Sequence, residues 1–439
     1  MRESHKGALM DLDRRSREIV PARRAPGSRE WISLSGQLAP GADESGDDPA
    51  ALAWLPLLPL CLAGFRGGRL PLLLDACACR RNLFREPVDF SHALAIRYLA
   101  PPANLADELA WLREIGVRQV TLPLTQDELA ARQRKTLEAI RSLHGEGFRI
   151  TLALQPRRGA QEEPEAWHRF CQEVFLQVGW QLEGAQLGDG PADWFQDLRG
   201  LPAAAKLFAN VPVLRGEFPG VALLAPGLED FGARLPVQTL RLLLPDGYVW
   251  DRLTLRAPAW RELASVERDA AFLRQLTLAC AVARRSGSSR GKVRVLFPPS
   301  PAGCGTAAEE RIACCVARRT VLALASGVAD RTALELDPAV GVAERQVFSL
   351  AFRELNAQLE GARFERRVHT GEPGRDFVLE FSRVSQPPLL VGWTDGEPRP
   401  VSVPFRTGEV NDFLCRPVPM LPHPRIRLTR SLAYFNGQP

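Results

Sequence analysis

The feature that most constrains this chain is a rhythm that starts near residue 92 and runs to residue 361. A short apolar stretch, a turn and an amphipathic helical stretch follow one another repeatedly. ALAIRYLAPP (93–102) reads as a strand. NLADELAWLREIG (104–116) then places Leu105, Leu109, Leu112 and Ile115 on one helical face, with Asn104 as N-cap and Gly116 as the stop. Strand candidates begin at about residues 94, 117, 149, 182, 221, 251, 293 and 332, each followed by a helical stretch. Eight such units predict a closed (β/α)8 TIM barrel, in the α/β class. An open doubly wound sheet is the alternative. Its dinucleotide-binding version needs a G-x-G-x-x-G turn after the first strand, which the sequence lacks, and no cofactor is expected.

The pattern changes after residue 361. RFERRVH, DFVLEFSRV, PLLVGWTDG and RPVSVPF alternate apolar and polar residues between Gly, Pro and Asp, as the antiparallel strands of a small accessory β-sandwich do. The expected organisation is a polar tail and loop over 1–49, then strands over 50–90 that could join the accessory β-domain. The barrel follows over 91–361 and the β-sandwich over 362–405. A Pro- and Arg-rich extension over 406–439 is expected to wrap the surface. RLPLLLDAC, near residue 70, is among the stretches read as strands.

Composition excludes several classes. The 439 residues carry 56 Lys+Arg against 51 Asp+Glu, a net charge of only +5, which does not suit a dedicated nucleic-acid binder. The most apolar run, ALAWLPLLPLCLAG (51–64), is shorter than the ~20 residues of a membrane helix and holds Pro56 and Pro59. It is read as a buried core segment, so no membrane span is expected. The nine cysteines are odd in number and irregular in spacing. Neither Cys77-Ala78-Cys79 nor Cys314-Cys315 has zinc-knuckle spacing, and no metal site is expected. Buried free thiols in a reducing, cytoplasmic setting are the expectation. No P-loop, HExxH or Ser/His/Asp constellation is present.

With the barrel and sandwich in this order, the chain resembles the clan A glycoside hydrolases, particularly their xylosidase-like and arabinofuranosidase-like members. The resemblance covers about residues 90–405. It rests on Gly188-Asp189-Gly190-Pro191 after the fourth strand, where the family has G-N-E-P; on GVALLAPGLEDFG at the fifth; on VRVLFPPSPAGCG at the seventh; on EERIACCVARRTVLALASGV leading into the eighth; and on the tail from residue 362. It implies a saccharide ligand and two catalytic glutamates. Gly190 stands where the acid/base Glu would be, and Leu296-Phe297 where the nucleophile motif Thr-Glu would be. LTLRAPAW replaces the usual His-containing sixth-strand segment.

In a barrel the chemistry sits at the C-terminal ends of the strands. The candidate catalytic residues there are Asp189, Glu335 and Asp337. Asp189 is the first choice, against an Asx-turn as the competing reading. Glu335 and Asp337 are spaced to share one side of the eighth strand, although Asp337 could simply start the Asp-Pro turn. Arg97, Arg157, Trp194, Glu229, Arg256 and Trp260 are the substrate-binding candidates, since arginines and flat aromatic faces suit a saccharide. Glu229-Asp230 could equally be solvated, and Trp194, Trp250 and Trp260 could equally be packing. Trp393 is read as sandwich core and His168 as structural. Two functions stay open: a hydrolase with displaced carboxylates, Asp189 opposite Glu335 or Asp337, or a catalytically inactive barrel that binds a saccharide or a protein partner. A barrel enzyme of unrelated chemistry is a third class.

Overall fold

The computed structural model describes residues 70–90, 94–127, 130–157, 160–188, 206–229, 250–257, 269–285, 292–299, 306–340, 345–372 and 374–438. Helix α1 (Leu70–Asn82) and a two-residue strand β1 (Val88–Asp89) come first. The eight strands β2 (Leu94–Tyr98), β3 (Gln119–Thr125), β4 (Arg149–Gln155), β5 (Leu182–Leu187), β6 (Ala222–Glu229), β7 (Arg252–Arg256), β8 (Val293–Phe297) and β9 (Ala329–Leu336) close into a parallel barrel. Closure is made by β9 against β2, with Arg97 opposite Glu335 in the register. The fold is the expected TIM barrel.

The barrel helices are α2 (Leu105–Glu114), α3 (Ala130–Gly145), α4 (Pro164–Val178), α5 (Val211–Glu217), α6 (Asp269–Arg285), α7 (Thr306–Ala325) and α8 (Gln346–Leu359). Helix α2 starts where the sequence placed it. The Asn104 side chain accepts a bond from the Ala106 amide at 3.1 Å, and Gly116, at φ +72°, turns the chain as a side chain there could not without strain. Residues 230–249, which include a short helix expected over 238–247, lie outside the described residues. So do the expected tail over 1–49 and the apolar run over 51–64.

The accessory sheet has six antiparallel strands in the order β1-β10-β11-β12-β16-β14, with β10 (Ala362–Arg367), β11 (Asp376–Arg383), β12 (Gln386–Thr394), β14 (Thr407–Asp412) and β16 (Ala433–Gly437). A two-stranded pair, β13 (Arg399–Ser402) with β15 (Arg425–Leu428), packs over it. Strand alternation makes this a two-sided layer. Phe377, Leu379, Phe381, Leu389, Val391 and Trp393 join the large core shared with the barrel. Val378, Leu390 and Phe435 point the other way, into a second core with Val401, Ile426 and Leu428. Trp393 is fully buried, as its reading as core required.

Three expectations are corrected. RLPLLLDAC is not a strand but the start of α1. A continuous apolar run has no period that separates helix from strand; Pro71 in the first turn and Arg80 and Arg81 in the last suit a helix. Helix α1 packs on α6, bringing the Cys79 and Cys280 sulfurs to 3.2 Å. The stretch over 406–439 does not wrap the surface: it supplies β14, β15 and β16, and β16 lies between β12 and β14 inside the sheet. Its prolines concentrate in the β14–β15 connection and hid the short strands on either side. Finally, Cys77 and Cys415 are exposed, while Cys79, Cys171, Cys280 and Cys314 are buried thiols.

Candidate functional site at the barrel mouth

Parallel strands covered on both faces usually read as near-continuous apolar runs. Several strands of this barrel alternate instead. In β2, Leu94, Ile96 and Tyr98 join the core outside the barrel, and Ala95 packs inside it with Leu296 of β8 and Ala333 of β9. By the same alternation Arg97 points inward. In β9, Thr332 reaches outward to Thr320 of α7 at 3.4 Å, so Ala333 and Glu335 face in. In β7, Leu253 and Leu255 join the outer core, leaving Arg252, Thr254 and Arg256 inside.

Three predicted residues from three strands meet as a result. The Glu335 carboxylate Oε1 accepts from Arg256 Nη2 at 2.7 Å and lies 3.3 Å from Arg97 Nε. Arg97 Nη1 also crosses the barrel to donate to Gln186 Oε1 on β5 at 2.9 Å. Arg97 and Glu335 are almost wholly buried; the Arg256 side chain is 17% exposed. Burial pulls the Arg97 guanidinium down to about 10, with Glu335 opposing that shift and Arg256 adding to it. Arg97 therefore stays cationic at neutral pH. The cluster is a carboxylate clamped between two guanidinia, held by strands rather than loops, and it can orient a polar ligand.

The other sequence candidates are placed elsewhere. Asp337 does not join Glu335: it is exposed beyond the end of β9, and its Oδ1 accepts from the Ala339 amide at 2.9 Å in an Asx-turn. Arg157 is half-exposed after β4 and pairs with Glu163 at 2.5 Å. Trp250 precedes β7 at its N-terminal end and is buried edge-on against Phe208, with ring centroids 5.6 Å apart. Asp189, Trp194, Asp230 and Trp260 lie outside the described residues, as does the Glu229 side chain. Sequence reading missed Gln186, Thr121, Arg252, Arg294 and Arg331. The signal was present as polar residues at every second position of RLTLR and as arginines within the otherwise apolar VRVLF and within ADRTALEL.

At the end of β8, Leu296 is buried in the barrel with Ala95 and Ala333. Phe297 is buried on the other side against Phe272 of α6, at 6.5 Å between ring centroids. Among the described residues, none of β2–β5, β7 and β8 ends on a carboxylate, while β9 carries Glu335 and is followed by the exposed Asp337. Among the described residues no helix is long and apolar enough to cross a membrane, and no group of His, Cys, Asp and Glu could hold a metal.

No protein-family model matches the chain, and no curated protein matches it. Solved structures do. A family 39 glycoside hydrolase from Bacteroides cellulosilyticus superposes with a TM-score of 0.55 at 12% identity, covering 79% of this chain and 81% of that one. A glucosidase from Croceicoccus marinus gives 0.50 at 12% identity, covering 80% and 81%. A protein from Neocallimastix frontalis gives 0.51 at 9% identity, covering 81% and 98%. At such identities the likeness is one of architecture, and it agrees with the closed barrel and its antiparallel sheet: the chain shares the fold of these barrel proteins.

Proposed function

We propose that this chain binds a saccharide at the C-terminal mouth of its barrel and does not hydrolyse it by the two-glutamate mechanism. The observation that carries this reading is the state of Glu335: this buried carboxylate at the end of β9 is clamped by Arg97 and Arg256. Retaining hydrolysis needs two carboxyl groups about 5–5.5 Å apart, and inverting hydrolysis about 6.5–9.5 Å. Leu296 and Phe297 at the end of β8 can neither attack nor transfer a proton, and Gly190 has no side chain. General acid–base assistance is typically worth about 10²–10⁴-fold, so losing it leaves rates near background.

In this reading Arg97, Glu335 and Arg256 form the polar centre. Asp189, Glu229, Trp194, Trp260 and Arg157 are the flanking positions that would meet the ligand. A cytoplasmic setting belongs to the same proposal, supported by the odd number and irregular spacing of the cysteines. The test is a panel of aryl glycosides assayed for turnover, beside calorimetric binding of the corresponding sugars. Binding without turnover, weakened by Asp189→Ala and by Arg256→Ala, is expected. Turnover well above background that disappears in Asp189→Ala or Asp337→Ala would overturn it in favour of a hydrolase with displaced carboxylates.

A further inference from the structure

The inward-facing and rim residues of β5 and β7–β9, with Arg97, carry more cations than anions. Their guanidinia are Arg97, Arg252, Arg256, Arg294 and Arg331; their carboxylates are Glu183, Asp330 and Glu335. Each carboxylate has a guanidinium partner, although Asp330 Oδ1 has none among the described residues. Glu335 takes Arg97 and Arg256, Asp330 Oδ2 takes Arg252 at 2.5 Å, and Glu183 takes Arg331.

Among the described residues Arg294 has no such ion pair. It is 3% exposed, and the hydrogen bond it makes there is from Nη2 to the neutral hydroxyl of Thr121 across the barrel. Its Nε and Nη1 have no partner among the described residues. Thr254, its neighbour in the β7–β8 register, is fully buried and its Oγ1 also has no partner. Two orphaned polar groups therefore share one row of the interior. Around them are Arg97, Arg252 and Arg331, with Asp330 the opposing charge. Burial and these like charges pull the Arg294 guanidinium down to about 9, still cationic at neutral pH. On the mouth side, Leu296 on the same strand packs with Ala95 and Ala333, which bars a sugar-sized group from this row.

A buried guanidinium with no carboxylate at ion-pair distance among the described residues is costly, and the usual remedy is a paired ion. The geometry points to a small monovalent anion of halide size, held inside the barrel by the guanidinium of Arg294 and the hydroxyl of Thr254. The three donors Nε–H, Nη1–H and Oγ1–H suit a spherical acceptor, and the surrounding guanidinia add long-range attraction at low dielectric. The site is separate from the proposed saccharide centre and does not depend on it.

The test compares thermal unfolding of the full chain in chloride and in gluconate at equal ionic strength, with bromide as a second halide. A ligand that binds only the folded state raises the midpoint by mass action, here by about 1–2 °C for a chain of this size. Arg294→Met should abolish the chloride effect and be at least as stable as the parent in gluconate. Thr254→Val should weaken the effect. A bromide-soaked crystal should show its anomalous peak between Arg294 and Thr254. Equal midpoints in chloride and gluconate for the parent would overturn the site. So would a halide effect that survives in Arg294→Met, or a bromide peak elsewhere alone. If Arg294→Met does not fold, Thr254→Val and the position of the bromide decide.

Discussion

Two of the buried arginine–carboxylate clusters among the described residues are balanced differently. At the joint between barrel and sheet, Asp269 at the start of α6 accepts from Arg318 Nε at 2.8 Å and from Trp393 Nε1 at 2.7 Å. Its amide donates to Asp395 Oδ2 at 2.7 Å, and Arg319 lies 3.7 Å away. Arg318 also bonds Asp395 and stacks over the Trp393 ring at 5.6 Å. Two guanidinia meet two carboxylates. Burial opposes the charge of Arg318, yet Asp269 and Asp395 hold its pKa above the ordinary value. Inside the barrel the same side chain at Arg294 moves the opposite way, because burial there is reinforced by Arg97, Arg252 and Arg331. A matched network locks two layers together, whereas an unmatched one leaves donors directed at something else.

Substitutions can break that comparison, and the largest effect belongs to the matched cluster. Asp269→Ala should cost about 3–5 kcal/mol, because it strands the charges of Arg318 and Arg319 between barrel and sheet. Urea unfolding measures it, and a loss below about 1 kcal/mol would show that the joint is held by apolar packing alone. Next comes Glu335→Gln, which keeps an acceptor but removes the charge between Arg97 and Arg256. It should cost about 2–3 kcal/mol in the same assay and abolish saccharide binding by calorimetry. Arg294→Met should reverse the sign in chloride-free buffer. Replacing a buried unmatched ion with an apolar side chain of similar length is neutral or stabilising, here by about 1 kcal/mol. A loss as large as that of Asp269→Ala would mean that the two clusters are equivalent after all. The smallest effect is expected for Asp337→Ala, which removes an exposed Asx-turn: less than about 1 kcal/mol, with saccharide binding unchanged.

Particular elements show what could be read in advance. The Asn104 cap and the Gly116 stop are local signals, and α2 lies between them. The alternation of Phe377, Leu379 and Phe381 marks a strand whichever partner it finds, because period two is a backbone property. Helix α1 was misread because LPLLL has no period to read, and β14 and β15 because the prolines between them masked two short strands. At the site, Arg97, Arg256 and Glu335 were legible as polar residues near strand ends. Asp337 was not separable from Glu335 until the turn that holds its carboxylate could be seen.

The sequence by itself determined the succession of eight βα units, the change to antiparallel strands after residue 361, and the absence of a carboxylate at Leu296-Phe297 and Gly190. Each is a matter of residue identity and near-neighbour spacing. Only the tertiary structure decided that Arg97, Arg256 and Glu335 converge on one carboxylate oxygen. The same holds for the Trp393–Asp269 bond across the joint, and for Arg294 facing Thr121 without a counter-charge. These residues are separated by tens to hundreds of positions, and barrel closure and stagger set which strands oppose one another. Charge balance in a buried space depends on that opposition, and no local pattern encodes it.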